Sequence, residues 1–111
     1  MRIWDVSPQI LCRNHLLGEH RELHAVWTIL TRNKSGYSFH PETLRWKDKL
    51  SALYARHEEL TKEMKSRGYN HNSPLDKRLA VGSKKQTKLI HTVEQQLKIL
   101  QSKNCNCNVR N

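Results

Sequence analysis

Between Asn14 and His24 the chain reads Asn-His-Leu-Leu-Gly-Glu-His-Arg-Glu-Leu-His, a run dense in titratable side chains. On a helix each residue advances about 100°, so His15 and Glu22, seven apart, nearly eclipse. Gly18, Ala25 and Ile29 lie close to the same stripe. The Glu22 carboxylate therefore stands among positions with little side chain, where a bulky partner can approach it. Asn14 and Arg21 form an adjacent row. On pattern alone Glu22 can equally be a surface carboxylate paired with Arg21, Arg13 or Lys34, and that plain reading suits Glu19 better still.

The same segment offers metal chemistry. His20 and His24, four apart, could grip one ion. A zinc-protease helix sets its Glu directly after the first His. Here Glu22 stands two residues on, about 200° around the helix and facing away, so it could not activate a water on that ion. No metal and no organic cofactor is expected. The three cysteines, Cys12, Cys105 and Cys107, make a poor disulfide framework, being odd in number and including a Cys-x-Cys pair. Two close thiols do not make a structural zinc site, and free thiols in a polar tail are expected.

The elements that must position these residues are helical. Ser7-Pro8 is a helix start. Leu16, Leu23, Val26, Trp27 and Leu30 recur at helical spacing, giving one long helix over residues 8–32 or a short helix leading into a longer one. Asn33-Lys34-Ser35-Gly36 stops it, and residues 33–41 connect. His40-Pro41-Glu42-Thr43 opens a second helix with an apolar stripe of Leu44, Leu50, Leu53, Tyr54, Leu60 and Met64, ended by Gly68. Residues 69–82 read as loop. A third helical region, in one piece or two, carries two possible capping boxes, Ser83 with Gln86 and Thr92 with Gln95. Leu89, Ile90, Val93, Leu97 and Leu100 supply its apolar side. The expected fold is all-α: a compact single domain of about three helices over residues 1–103, then a polar tail over 104–111.

Composition narrows the partner. Lys and Arg number 20 against 10 Asp and Glu, a formal net charge of +10. The basic residues run along most of the chain, from Arg2, Arg13 and Arg21 through Arg45, Arg56 and Arg67 to Lys84, Lys85 and Lys88. A folded domain so charged attracts nucleic acid. A hydrophobic fraction of 36% implies a thin core. No apolar run approaches the length of a membrane span, and Met1-Arg2-Ile3-Trp4-Asp5 is not a signal peptide, because charge returns before an apolar stretch develops. A reducing, cytoplasmic setting is expected.

Met1-Arg2-Ile3-Trp4, followed by His15-Leu16-Leu17-Gly18-Glu19-His20-Arg21-Glu22-Leu23, resembles the pyrimidine-dimer DNA glycosylases of the phage endonuclease V type. Asp48-Lys49-Leu50 through Leu60, then Lys65-Ser66-Arg67-Gly68-Tyr69-Asn70, looks like that family's second helix and its glycine stop. The likeness covers roughly residues 1–75. It implies an all-α fold with the N-terminus lying against the first helix. It also implies a glycosylase and abasic-site lyase acting on duplex DNA that carries pyrimidine dimers or abasic sites, as a monomer.

In that family the α-amine of the mature chain attacks the anomeric carbon of the sugar, and a Glu on the first helix assists. Carried over, the amine is that of Met1 and the carboxylate that of Glu22. Arg2, Asn14, His15 and Arg21 match positions that hold the damaged strand. The large side chain of Arg2 disfavours removal of Met1. An Arg expected near His24-Ala25 is absent, and Cys105 to Asn111 replaces the family's aromatic tail. Two other readings stay open: a non-catalytic nucleic-acid-binding protein on the same fold, and a metal-dependent hydrolase using the His cluster.

Overall fold

The computed structural model describes residues 2–32, 40–70, 74–103 and 107. Among them the chain forms four α-helices and no strand beyond one isolated bridge. After a 3-10 turn at Pro8–Ile10 comes α1, Arg13–Arg32. This is the short helix leading into a longer one that the spacing allowed. Leu16, Leu23, Val26 and Trp27 face the core as their periodicity requires, and Glu19 is buried with them. Residues 33–39 of the expected connection lie outside the described residues.

The expected second helix is split. α2 spans only Pro41–Leu44, and α3 spans Leu50–Ser66. The break follows from two side chains that turn inward. Arg45, 2% exposed, donates to the Glu42 carboxylate at 2.7 Å, to Asp5 at 3.1 Å and to the Ile3 carbonyl at 2.7 Å. The Trp46 indole N–H donates to the same Glu42 oxygen at 3.1 Å. Asp48 then takes a left-handed φ of 62°. Its carbonyl accepts from the Ser83 N–H at 3.0 Å, and Lys49 bridges to Gly82. A Cβ at Gly82 would fall 2.2 Å from the Asp48 carbonyl oxygen, so only glycine fits where the two loops cross. Gly68 closes α3 at φ 80°, as expected, and the Tyr69 N–H returns to the Met64 carbonyl at 2.9 Å.

The third helical region is shorter than its two capping signals suggested. Only the second box forms: Thr92 Oγ1 accepts from the Gln95 N–H at 3.1 Å, and the Gln95 side chain accepts from the Thr92 N–H at 2.9 Å. This box opens α4, Val93–Ser102. Gln86 is drawn instead to the turn between α2 and α3, where it donates to the Arg45 carbonyl at 2.6 Å and accepts from Lys49 at 2.8 Å. Residues 83–92 consequently run without helix. Leu89, Ile90 and Val93, expected on the apolar side, are exposed, whereas Leu100 is buried.

The N-terminal segment is part of the core. Ile3, Trp4, Val6 and Leu11 are all buried, each worth about 1.5–3 kcal/mol if aliphatic or more if aromatic. An extended segment of this kind has carbonyls with no helix or sheet partner, and buried carbonyls need donors. Three arginines supply them: Arg45 to Ile3, Arg56 to Val6 at 2.8 Å, and Arg67 to Leu11 at 2.7 Å. Sequence reading assigned these arginines to the DNA-attracting set. The structure turns all three inward, Arg45 and Arg56 fully buried and Arg67 half-buried.

Candidate active site

The His15, Gly18 and Glu22 stripe of α1 forms one wall of a cleft of about 270 Å³. Arg2 and Trp4 of the N-terminal segment make a second wall, and Ile99 and Lys103 at the end of α4 make a third. Asn14 lies at the rim, exposed. The seven-residue spacing thus brings His15 and Glu22 onto one surface, and Arg2 meets them there. Arg21 is exposed on α1 and does not line this cleft. Met1 lies outside the described residues. Gly18 opens directly onto the space, since a Cβ there would meet no atom within 4 Å.

Two carboxylates border the cleft, and their surroundings separate them. Glu19, expected as a surface group, is 2% exposed. Arg56 grips it with both arms of its guanidinium, at 2.7 and 3.0 Å, and the Trp4 N–H also bonds to it. Burial pushes the Glu19 carboxyl upward against these stabilising partners, and the Glu19 charge in turn holds Arg56 above its ordinary value against burial. Both oxygens of Glu19 are thereby committed to the fold. Glu22 is half-buried and makes no hydrogen bond or ion pair with any described residue. The surface pairing with Arg21 or Arg13 that the pattern allowed is not formed.

Cations line the opposite side. The Arg2 guanidinium stacks over the Trp4 ring at 4.6 Å and approaches His91 Nδ1 at 3.4 Å. The Trp4 ring meets the His15 ring edge-on at 5.9 Å. Burial first and the Lys103 ammonium second hold the His15 imidazole below its ordinary 6.5, so this ring is neutral at physiological pH. Its Nδ1 lies 3.3 Å from Cys12 Sγ and 3.1 Å from Cys107 Sγ. Cys107 also accepts from the Cys12 N–H at 3.1 Å. These three residues form a group that could hold a metal ion.

Sequence reasoning missed Ile99 and Lys103, which come from the far end of the chain and carry no local signal. It also missed Arg56, for which a signal exists. Arg56 and His57 fall between Leu53 and Leu60 on the buried stripe of α3, where a polar side chain implies a buried partner.

The sequence model of the family described as pyrimidine dimer DNA glycosylase matches residues 1–77. That range holds both the α1 stripe and the N-terminal segment, whereas α4 lies beyond it. No curated protein and no solved structure matches the chain.

Proposed function

Because the chain belongs to the pyrimidine dimer DNA glycosylase family, and is thereby a DNA-repair enzyme of glycosylase type, we propose that it cuts damaged DNA with the α-amine of Met1 as nucleophile and Glu22 as the assisting carboxylate. The observation that carries this reading is the contrast between the two cleft carboxylates. Glu19 is fully engaged by Arg56, while Glu22 faces the same space with no partner among the described residues.

An α-amine has an ordinary pKa of about 7.7–8.0, so a useful share is neutral near physiological pH. The amine lone pair forms a bond to the anomeric carbon of the sugar while the bond to the damaged base breaks, and the base leaves with that electron pair and takes up a proton. Opening of the sugar ring converts the adduct to a Schiff base. Glu22 stabilises the positive charge that develops on the sugar and moves the proton needed for ring opening. The iminium acidifies the adjacent carbon. Loss of a proton there expels the 3′ phosphate and cuts the strand, and water then releases the enzyme.

Arg2, Asn14, His15 and Arg21 hold the damaged strand in this reading. A neutral His15 suits a hydrogen bond to sugar or base, and Arg2 and Lys103 suit phosphates. A dimer stacks poorly, so extruding it costs less than opening intact duplex, which supplies part of the selectivity.

The test is borohydride trapping on a duplex with one abasic site, followed by peptide mapping. The expected product is a covalent adduct on the α-nitrogen of residue 1, abolished by an N-terminal extension, which moves the amine by up to about 3.5 Å per added residue. An adduct on a lysine, or trapping that survives the extension, overturns the mechanism. No adduct at all favours the non-catalytic binder.

A further inference from the structure

On the side of α1 turned toward α3, three imidazoles converge. His20 and His24 are one turn apart on α1, and His57, 1% exposed, reaches them from α3. His24 Nε2 lies 3.2 Å from His20 Nε2 and 3.1 Å from His57 Nε2, and the three ligand atoms all fall within 4.8 Å of one another. The His24 ring stands edge-on to both others, at 69° to His20 and 76° to His57, while His20 and His57 are tilted by 33° with centroids 5.1 Å apart.

Hydrogen bonding accounts poorly for this arrangement. In the ring plane an imidazole nitrogen has either one hydrogen or one lone pair. His24 Nε2 can therefore complete a bond with His20 or with His57, but not with both. A cation at the centre of the three nitrogens engages all three lone pairs together. Zinc–nitrogen bonds of about 2.0–2.1 Å in a tetrahedron put neighbouring nitrogens roughly 3.3 Å apart, which the two His24 distances match, and the third pair lies within 4.8 Å. The far nitrogen of the buried ring is also provided for. His57 Nδ1 lies 3.3 Å from the Glu58 carboxylate, a contact that suits the tautomer with the proton on Nδ1 and the lone pair on Nε2, as in the carboxylate–histidine–metal arrangement.

We propose that His20, His24 and His57 bind a divalent transition-metal ion, zinc by ligand class, which ties α1 to α3. In this proposal the ion joins the two helices, with water in the fourth position. Glu22 is two residues from His20, about 200° around α1, and lies in the cleft on the other side, so the metal fixes the helix that presents the carboxylate without touching substrate.

The experiment uses the full chain without a histidine tag. Metal content is measured on protein purified without chelator, and the metal is then stripped and replaced by cobalt. The expected result is one zinc per chain, and a visible cobalt spectrum without sulfur-to-cobalt charge transfer. Zinc at about a hundredfold excess over its dissociation constant should raise the melting temperature by roughly 10 °C. Cys12→Ser should keep the cobalt spectrum and His24→Ala should lose it. The wild-type spectrum needs no variant to fold. Its absence, together with metal-free protein, overturns the proposal. So does a spectrum with sulfur charge transfer that Cys12→Ser abolishes and His24→Ala retains, because the metal would then sit at Cys12, His15 and Cys107.

Discussion

Substituting Gly18 separates the stability of the fold from the use of the cleft. Inside a helix, Gly costs about 0.8–1.0 kcal/mol relative to Ala. Gly18 lies mid-α1, and a Cβ there meets nothing within 4 Å, so no steric penalty offsets that gain. Unfolding entropy of about 2.1 cal/mol/K per residue gives roughly 0.23 kcal/mol/K for a chain of this length, so Gly18→Ala should raise the melting temperature by about 4 °C. The new methyl projects between His15 and Glu22, and a Leu fills far more of a cleft of about 270 Å³. If the substrate occupies that space, Gly18→Leu acts as overpacking of about 1–3 kcal/mol, which is a loss of roughly 5- to 150-fold in kcat/KM on dimer-containing duplex. Calorimetry and a strand-cleavage assay on the same preparations read both effects. Wild-type kcat/KM in the Leu variant would show that substrate does not enter beside Glu22. A lowered melting temperature in the Ala variant would show that the space at Gly18 is not open.

Three further outcomes are expected. Glu22→Gln keeps shape and removes charge, so it should retain binding to damaged duplex and lose at least a hundredfold in cleavage, a drop of about 2.7 kcal/mol of stabilisation; near wild-type cleavage would remove Glu22 from the chemistry. Arg56→Met strands the buried Glu19 carboxylate and should cost about 3–5 kcal/mol in urea unfolding, with much of it recovered in Glu19→Gln/Arg56→Met; a single variant as stable as wild type would mean the pair is not coupled. His15, held down by burial and by Lys103, gives up its proton more readily in the native chain than in the unfolded one. Its contribution to stability is therefore present above about pH 6.5 and lost as pH falls through that value toward the lower native one. An NMR titration should place the His15 midpoint below 6.5 and move it upward in Lys103→Gln; a midpoint above 6.5 would contradict the geometry of the cleft.

The parts of the fold legible in the sequence were those set by local periodicity. The α1 stripe, the Gly68 stop and the Thr92–Gln95 box are all decided within a few residues, and each stands where spacing put it. The parts that were not legible depend on contacts between distant segments. The Ser83–Gln86 box is as good a local signal as the one that forms, yet Gln86 has a better partner in the Arg45 carbonyl, 41 residues away. The second helix breaks for the same reason. Arg45 has no local motive to leave a helix; its distant partners are Ile3 and Asp5.

The charge of the chain divides along the same line. Arg45 and Arg56 are buried, but so are Glu42 and Glu19, and the two pairs cancel. Burial among the described residues therefore takes nothing from the formal excess of +10, which attracts a polyanion. The buried pairs do different work. Each guanidinium that neutralises a carboxylate also donates to a carbonyl of residues 3–6, so the N-terminal segment is held by the same side chains that lock α1 and α2 in place. An enzyme that uses its first residue as a reagent needs that end of the chain fixed relative to α1. Free chain ends are ordinarily the most mobile part of a domain. Here the segment beginning at Arg2 is packed on the helix that carries Glu22 and fastened to it through Arg56 and Glu19, one turn before Glu22. The segment from Arg2 onward and the helix that presents Glu22 are thus held by shared side chains, which is the arrangement the proposed chemistry requires.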